Sequence, residues 1–330
     1  MRYEKRSLLI WAILAVVLFA AAVVALMIGD YHISPINVVG AIFGSSADPL
    51  ATFFVQDMRA PRVVMALLVG LALGLSGCIF QSVTNNPLGS PDITGFSVGA
   101  ATGALLQIIV FDGGVYAVAL GAIVGGAISG LLVYLLARGG GGTRFVLIGI
   151  GVSAILSGVN SLLIVRASLQ AAQTASVWMS GSFNATTWTQ CSALFAALII
   201  CVPLALLLAR PLAIMTSGDE LAHGLGVNVN LRRRQLLGLG IILVAVAVAS
   251  SGPISFVALA APQLARRLTK SSGISMLASG LMGAAIVLIS DIIAQRIFAP
   301  TQLPVGVVTG VLGGIYLIWL LAIGMRKKNS

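Results

Sequence analysis

The chain has 330 residues, with 19 lysines and arginines against 9 aspartates and glutamates, a formal charge of +10. Charged residues make up 8% and hydrophobic residues 58%, whereas a soluble domain carries about 25% charged residues. Too few charges are present to build a water-facing surface, so a soluble globular protein is excluded. The apolar residues come in runs long enough to cross a bilayer, which points to an all-α, polytopic integral membrane protein. In such a chain the basic excess reports on topology, and no nucleic-acid partner is expected.

Arg2, Lys5 and Arg6 precede an apolar run over 8–28, longer than the roughly 7–15 residues of a signal-peptide core. It is expected as a first spanning helix. Further spans are predicted at 62–82, 93–111, 115–137 and 145–165, then at 189–209, 235–250, 254–265, 274–295 and 305–323. Ser250, Ser251, Gly252 and Pro253 break an apolar stretch too long for one helix and short for two. Residues 138–143, Arg-Gly-Gly-Gly-Gly-Thr, read as a flexible turn, and 210–234 as the longest loop on the same side. Ten spans place fifteen of the 19 basic residues on the side of the termini, leaving Arg59, Arg62, Arg166 and Arg296 on the other. That asymmetry predicts cytoplasmic termini. Glycines at four-residue spacing, such as Gly70 and Gly74, Gly99 and Gly103, Gly121 and Gly125, and Gly306, Gly310 and Gly314, predict close helix packing.

Cys78, Cys191 and Cys201 fall within apolar runs, and the two histidines, His32 and His223, lie far apart. Neither a disulfide framework nor a metal site is expected. The acidic residues all map to loops or near helix ends, which disfavours a buried ion relay and thus an ion-gradient-driven transporter. No clustered His, Asp, Glu or Cys supports catalysis, and no lysine follows a phosphate-binding glycine loop. The chain is therefore expected to be neither an enzyme nor an ATPase, to hold no cofactor, and to draw any ATP-driven motion from partner subunits.

Several segments carry a resemblance: Met58-Arg-Ala-Pro-Arg62, Gln81 with Asn86-Pro-Leu-Gly-Ser-Pro91, Ser251-Gly-Pro-Ile-Ser-Phe256, Ala261-Pro-Gln-Leu-Ala-Arg-Arg267 and Gln302-Leu-Pro-Val-Gly-Val-Val308. In this order they resemble the type II ABC importer permeases for ferric siderophores and cobalamin, over about residues 55–323. The stretch ending at Asp92 and Leu312-Gly-Gly-Ile-Tyr-Leu-Ile318 are most similar to members serving ferric enterobactin. The resemblance implies one permease domain over 1–330, multi-pass in a bacterial inner membrane, with 210–234 as the cytoplasmic coupling loop. It implies as partners a homologous permease subunit in a heterodimer, two ATPase subunits, a periplasmic substrate-binding protein, membrane lipid and a ferric siderophore. Another siderophore, haem or cobalamin stays open as cargo. It also implies a pseudo-two-fold relation between spans 2–5 and 7–10, faintly visible as Pro91-Asp-Ile-Thr-Gly-Phe96 beside Pro253-Ile-Ser-Phe256.

Residue roles follow from the same resemblance. Arg59 and Arg62 match the arginines that accept acidic residues of the binding protein, and Arg296 stands one position late for a third, about 100° around a helix. Glu220-Leu-Ala-His-Gly-Leu-Gly226 is similar to the coupling segment that ATPases push, with Asp219, Glu220, Ala222 and Gly226 as its residues and Leu221 departing from the pattern. Gly142 and Thr143 match a cytoplasmic gate. Ser153, Ser157, Asn160 and Ser161 share one face of the fifth span and match the translocation path. The stretch from Trp178 to Gly181 is expected as a short interfacial helix.

Overall fold

The computed structural model describes residues 5–29, 31, 33–44, 48–137, 142–270 and 275–326. Helix α1 (Lys5–Met27) leads to an outer segment of two short helices, α2 (Pro35–Ile42) and α3 (Pro49–Phe53). Each starts with a capping side chain followed by proline: Ser34 accepts from the Asn37 N–H and Asp48 from the Leu50 N–H. A π-helical stretch, Phe54–Arg59, runs on into α4 (Ala60–Val83). No element was expected between residues 29 and 59, yet Ile33, Val38, Ala41, Ala51 and Val55 close a small core there. The Tyr31 hydroxyl donates to Asp48 at 2.6 Å, and this bond holds the Asp48 carboxyl below the usual carboxylate range.

Beyond α4 come α5 (Phe96–Leu105), extended by a π-helical turn Leu106–Val110, then α6 (Val115–Ala137), α7 (Gly142–Arg166) and α8 (Leu169–Met179). The second half holds α9 (Trp188–Met215), α10 (Asp219–Gly224), α11 (Val229–Ser251), α12 (Val257–Thr269), α13 (Met276–Arg296) and α14 (Val305–Arg326). Every expected span meets a helix. Among the described residues seven helices are long and apolar enough to cross a membrane, and residues 96–110 form a shorter apolar one. Helices α5 and α12 are the departures: with its π turn α5 has 15 residues, and α12 has 13. At 1.5 Å per residue they span about 22 and 20 Å, short of a hydrocarbon core of about 30 Å. The expected loop at 210–234 is also shorter, because α9 continues through Pro211 to Met215 and α11 begins at Val229.

Helix α4 is the centre, flanked by α13, α11, α12 and α9. Its small residues allow backbone-to-backbone contact: a Cβ at Gly70 would lie 2.5 Å from the Gly283 carbonyl oxygen, and one at Gly77 would collide with the Ala258 carbonyl. Gly99 and Gly103 of α5 meet Gly121 and Gly125 of α6 in the same way. The packing repeats across the molecule. Helix α4 lies on α13 as α11 lies on α6, α5 joins α6 and α7 as α12 joins α13 and α14, and α4 meets α11 between the halves. The expected pseudo-two-fold relation is thus present in the contacts.

Gly77→Val is expected to destabilise the protein by about 3 kcal/mol or more, because no neighbouring backbone can yield. Gly238→Val on α11, where an added Cβ meets nothing within 4 Å, should stay within about 1 kcal/mol of the parent. Thermal unfolding in detergent measures both, and equal losses would show that close approach at Gly77 does not govern packing.

Candidate functional site

At the rim of the bundle where α4 begins, three other chain segments converge on Arg62. Its Nε and Nη2 donate to the two carboxylate oxygens of Asp291, both at 2.9 Å, while Nη1 donates to Asn184 Oδ1 at 2.9 Å and Gln302 Oε1 at 2.8 Å. Four of the five guanidinium N–H groups are thereby engaged. Asp291 is fully buried and the Arg62 side chain is 12% exposed. Gln295 Nε2, one turn further along α13, also donates to Asp291 at 2.8 Å. Asp291, Asn184, Gln295 and Gln302 had no assigned role in the sequence, since their link to Arg62 spans more than a hundred residues. Arg59 donates to the carbonyls of Leu26, Met27 and Tyr31 and lies 5.8 Å from the Phe54 ring centroid. It thereby caps the end of α1, where unsatisfied carbonyls favour a cation. Arg296 lies about 100° around α13 from Gln295, and its Nη2 is buried without a hydrogen bond.

Midway along the bundle two loops meet. The α4–α5 loop carries Asp92, whose Oδ1 accepts from Ser97 Oγ at 2.6 Å and whose Oδ2 accepts from the Phe256 N–H at 3.3 Å. Phe256 opens α12 at the end of the loop that follows α11. The α5 helix with its π turn is about 22 Å long and α12 about 20 Å, and a Cβ at Gly95 would lie 3.2 Å from the Gly149 oxygen and 3.3 Å from the Ser153 nitrogen, well inside α7. Asp92 therefore lies near the middle of the bundle. Asp92 does lie in a loop, as the sequence placed it, but the loop re-enters the helical core.

Along α7 the four candidate path residues separate. Ser157 and Ser161 are exposed, Ser153 is half-buried, and Asn160 is buried with Oδ1 lacking a hydrogen-bond partner. Gly142 and Thr143 open α7, while 138–141 of the glycine run lie outside the described residues. Ser161 Oγ donates to the Ser157 carbonyl at 3.0 Å, as helical serines do in apolar surroundings.

At the opposite end from the rim, α10 is a six-residue helix with Asp219 and Glu220 in its first turn. Gly226 has φ +80°, and the Val227 N–H reaches the Ala222 carbonyl at 2.9 Å, a glycine stop of the kind the sequence pattern implied. Ala222 is fully buried, whereas Leu221 and Leu225 are 54% and 63% exposed. Arg233 Nη2 meets both Asp219 oxygens at 2.9 Å, tying α10 to α11.

Buried small-residue contacts, apolar spans and short helices that begin inside the bundle define a multi-pass membrane protein. The FecCD transport family matches residues 14–322, and the chain belongs to it. It is 44% identical to the ferric enterobactin transport system permease protein FepG of Escherichia coli (strain K12), over 99% of this chain and 100% of that one. It is 36% identical to the Fe(3+)-citrate import system permease protein YfmE of Bacillus subtilis (strain 168), over 99% and 98%. A solved structure, described as an inward-facing metal-chelate type ABC transporter, superposes with a TM-score of 0.84 at 29% identity, covering 95% of this chain and 98% of that one.

Arg62→Met is expected to cost about 3–5 kcal/mol by leaving Asp291 buried and unpaired. Adding Asp291→Leu should recover most of that loss, as read from thermal unfolding in detergent. A double variant no more stable than the single one would show that Asp291 is not the partner that matters.

Proposed function

We propose that the chain is the transmembrane permease subunit of an ATP-driven importer that moves a ferric siderophore across the bacterial inner membrane by alternating access. A catecholate such as ferric enterobactin is the proposed cargo. The observation that carries this reading is the full-length 44% identity to the ferric enterobactin permease of E. coli. The ten helices matching the expected spans, read with the basic asymmetry, support ten crossings and cytoplasmic termini.

Of two proposed ATPase subunits, one is proposed to dock at α10 of this chain. Exposed Leu221 and Leu225 on an otherwise polar segment supply apolar knobs, and buried Ala222 with the Gly226 stop seats the helix against α9 and α11 so that a push is transmitted. Asp219 and Glu220 complete that contact. A homologous permease subunit is proposed along α7 and α14, where Gly151, Gly158, Gly310 and Gly314 face open space. The path would then run between the two subunits past Ser153, Ser157, Asn160 and Ser161, closed on the cytoplasmic side by Gly142 and Thr143. A periplasmic binding protein is proposed to dock on the rim holding Arg59, Arg62 and Arg296. At Arg62 its acidic side chain would meet the N–H that Asp291, Asn184 and Gln302 leave free.

The reading is tested by reconstituting the chain with its partner subunits and following ferric enterobactin uptake into vesicles. Uptake should require ATP; uptake that survives ATP depletion but collapses with an uncoupler would replace this reading by an ion-gradient mechanism. Leu221→Asp with Leu225→Asp should lower ATP-driven uptake more than about tenfold, as loss of a hot spot does, and abolish ATPase co-purification while leaving the permease folded. Undiminished co-purification would remove α10 as the docking element.

A further inference from the structure

A half-open groove of about 230 Å³ runs between α12, α13 and α14, walled by Leu264 of α12, Met282 and Ile289 of α13 and Leu312 of α14. From Met282 to Ser290 it follows α13 for about 12 Å. Pockets for drug-sized ligands measure roughly 300–1,000 Å³ and carry polar groups that orient what they hold. This groove is smaller and almost wholly apolar, so a hydrocarbon chain suits it and a metal chelate does not. It is also not the face assigned above to a homologous subunit, because Gly310 and Gly314 lie about 100° and 140° round α14 from Thr309, which lines the groove.

The mouth at the end of the bundle opposite the rim is basic. Arg267 follows Leu264 by nearly one turn of α12, and its charge acts on the Tyr316 hydroxyl at that mouth. Helix α1 adds a second cation: Ile10, Trp11 and Leu14 pack in one cluster with Leu264, Met282 and Ile286, and Arg6 Nε donates to the Leu268 carbonyl at 3.1 Å. Lys270 ends α12 with φ 47°, a left-handed backbone that glycine or asparagine takes more readily. A charge is thus kept where conformation alone favours glycine. Arg6, Arg267 and Lys270 are exposed, and no described acidic side chain pairs with Arg6 or Lys270.

We propose that this groove binds one anionic phospholipid of the inner leaflet, with an acyl chain between α12, α13 and α14 and its phosphate among Arg6, Arg267 and Lys270. A bilayer supplies both parts of that ligand, since acyl chains surround the helices and anionic headgroups cover the cytoplasmic surface. An empty apolar gap forfeits the contacts of its lining, and the lipid tail restores them. Helix α14 packs mainly on α13, so the bound chain braces it against the short α12. The choice of leaflet rests on the cytoplasmic termini proposed above; the site itself does not.

Binding is measured by native mass spectrometry on the full-length chain in detergent, with dioleoylphosphatidylglycerol as the anionic probe and dioleoylphosphatidylcholine, of identical tails, as the zwitterionic one. The anionic lipid should bind more tightly. Arg267→Gln with Lys270→Gln should weaken it roughly thirtyfold, the scale of two basic side chains at a membrane surface, and leave zwitterionic binding near the parent value. Ile289→Trp and Leu312→Trp, at positions 40% and 41% exposed, fill the groove from opposite walls and leave the buried core alone. Each should weaken both lipids about tenfold, the scale of two methylenes kept from burial. Equal binding of the two lipids by the parent chain, parent affinity in Arg267→Gln with Lys270→Gln, or parent affinity in both tryptophan variants would each overturn the proposal. A dimer that the tryptophan variants dissolve would overturn it as well, by making a second copy of this chain the occupant. No transport is measured, so the outcome is independent of the cargo.

Discussion

Hydrocarbon offers no hydrogen bond to a peptide group, so wherever a helix ends inside the bilayer, protein must cover that end. This chain ends two helices there, and much of its architecture serves the requirement. Helices α5 and α12 are enclosed by α4 and α11 at the centre and by α6, α7, α13 and α14 around them. Enclosure this tight needs backbones in contact, which explains why Gly70, Gly74 and Gly77 all lie along the buried side of α4. Larger side chains would fill the space but would part the helices and admit lipid to the loop ends.

Electrostatics fixes what packing alone would leave free to slide. Apolar helices in lipid gain little from one register over another, since lipid tails are as apolar as leucine. The Arg62–Asp291 pair removes that freedom at the rim, joining α4, α13, the α8–α9 connection and the segment before α14 through one guanidinium. Buried pairs repay their desolvation only with good geometry and satisfied hydrogen bonds; here the contact is bidentate and all but one of the Arg62 N–H groups are bonded. The Arg233–Asp219 contact at the other end is largely exposed and contributes about 0–1 kcal/mol. The rim is therefore pinned, whereas α10 is seated mainly by buried Ala222.

What the sequence made legible was local. Runs of apolar residues located every helix of the bundle, and the glycine at 226 located the stop after α10. The outer segment was missed although Ser34-Pro35 and Asp48-Pro49 are start signals, because hydropathy draws attention to spans and α3 has only five residues. The depth of Asp92 was illegible for a different reason. A loop that re-enters looks like any other loop until its partner is known, and that partner, Phe256, lies 164 residues away. The same distance problem hid Asp291 from Arg62, 229 residues apart. Asn160 shows a finer limit: helical spacing put it on one face with Ser157 and Ser161, but that face straddles the edge of the packed surface, so one member is buried and two are exposed.

The unpartnered glycines carry the same logic one step outward. Helix α1 exposes Val16 and Phe19, large side chains that suit contact with acyl chains. Helices α7 and α14 instead leave Gly151, Gly158, Gly310 and Gly314 with nothing within 4 Å of an added Cβ, set among exposed Leu147, Ile155, Val311 and Ile315. A glycine costs a helix about 1 kcal/mol relative to alanine and gives nothing back against fluid lipid. Inside this chain, the glycine pairs Gly70 and Gly74, Gly99 and Gly103, and Gly121 and Gly125 each have a second backbone against them. The physical expectation for α7 and α14 is therefore a partner surface, and the two halves of the pseudo-symmetric bundle would each contribute one helix to it, with the Asp92 loop between them.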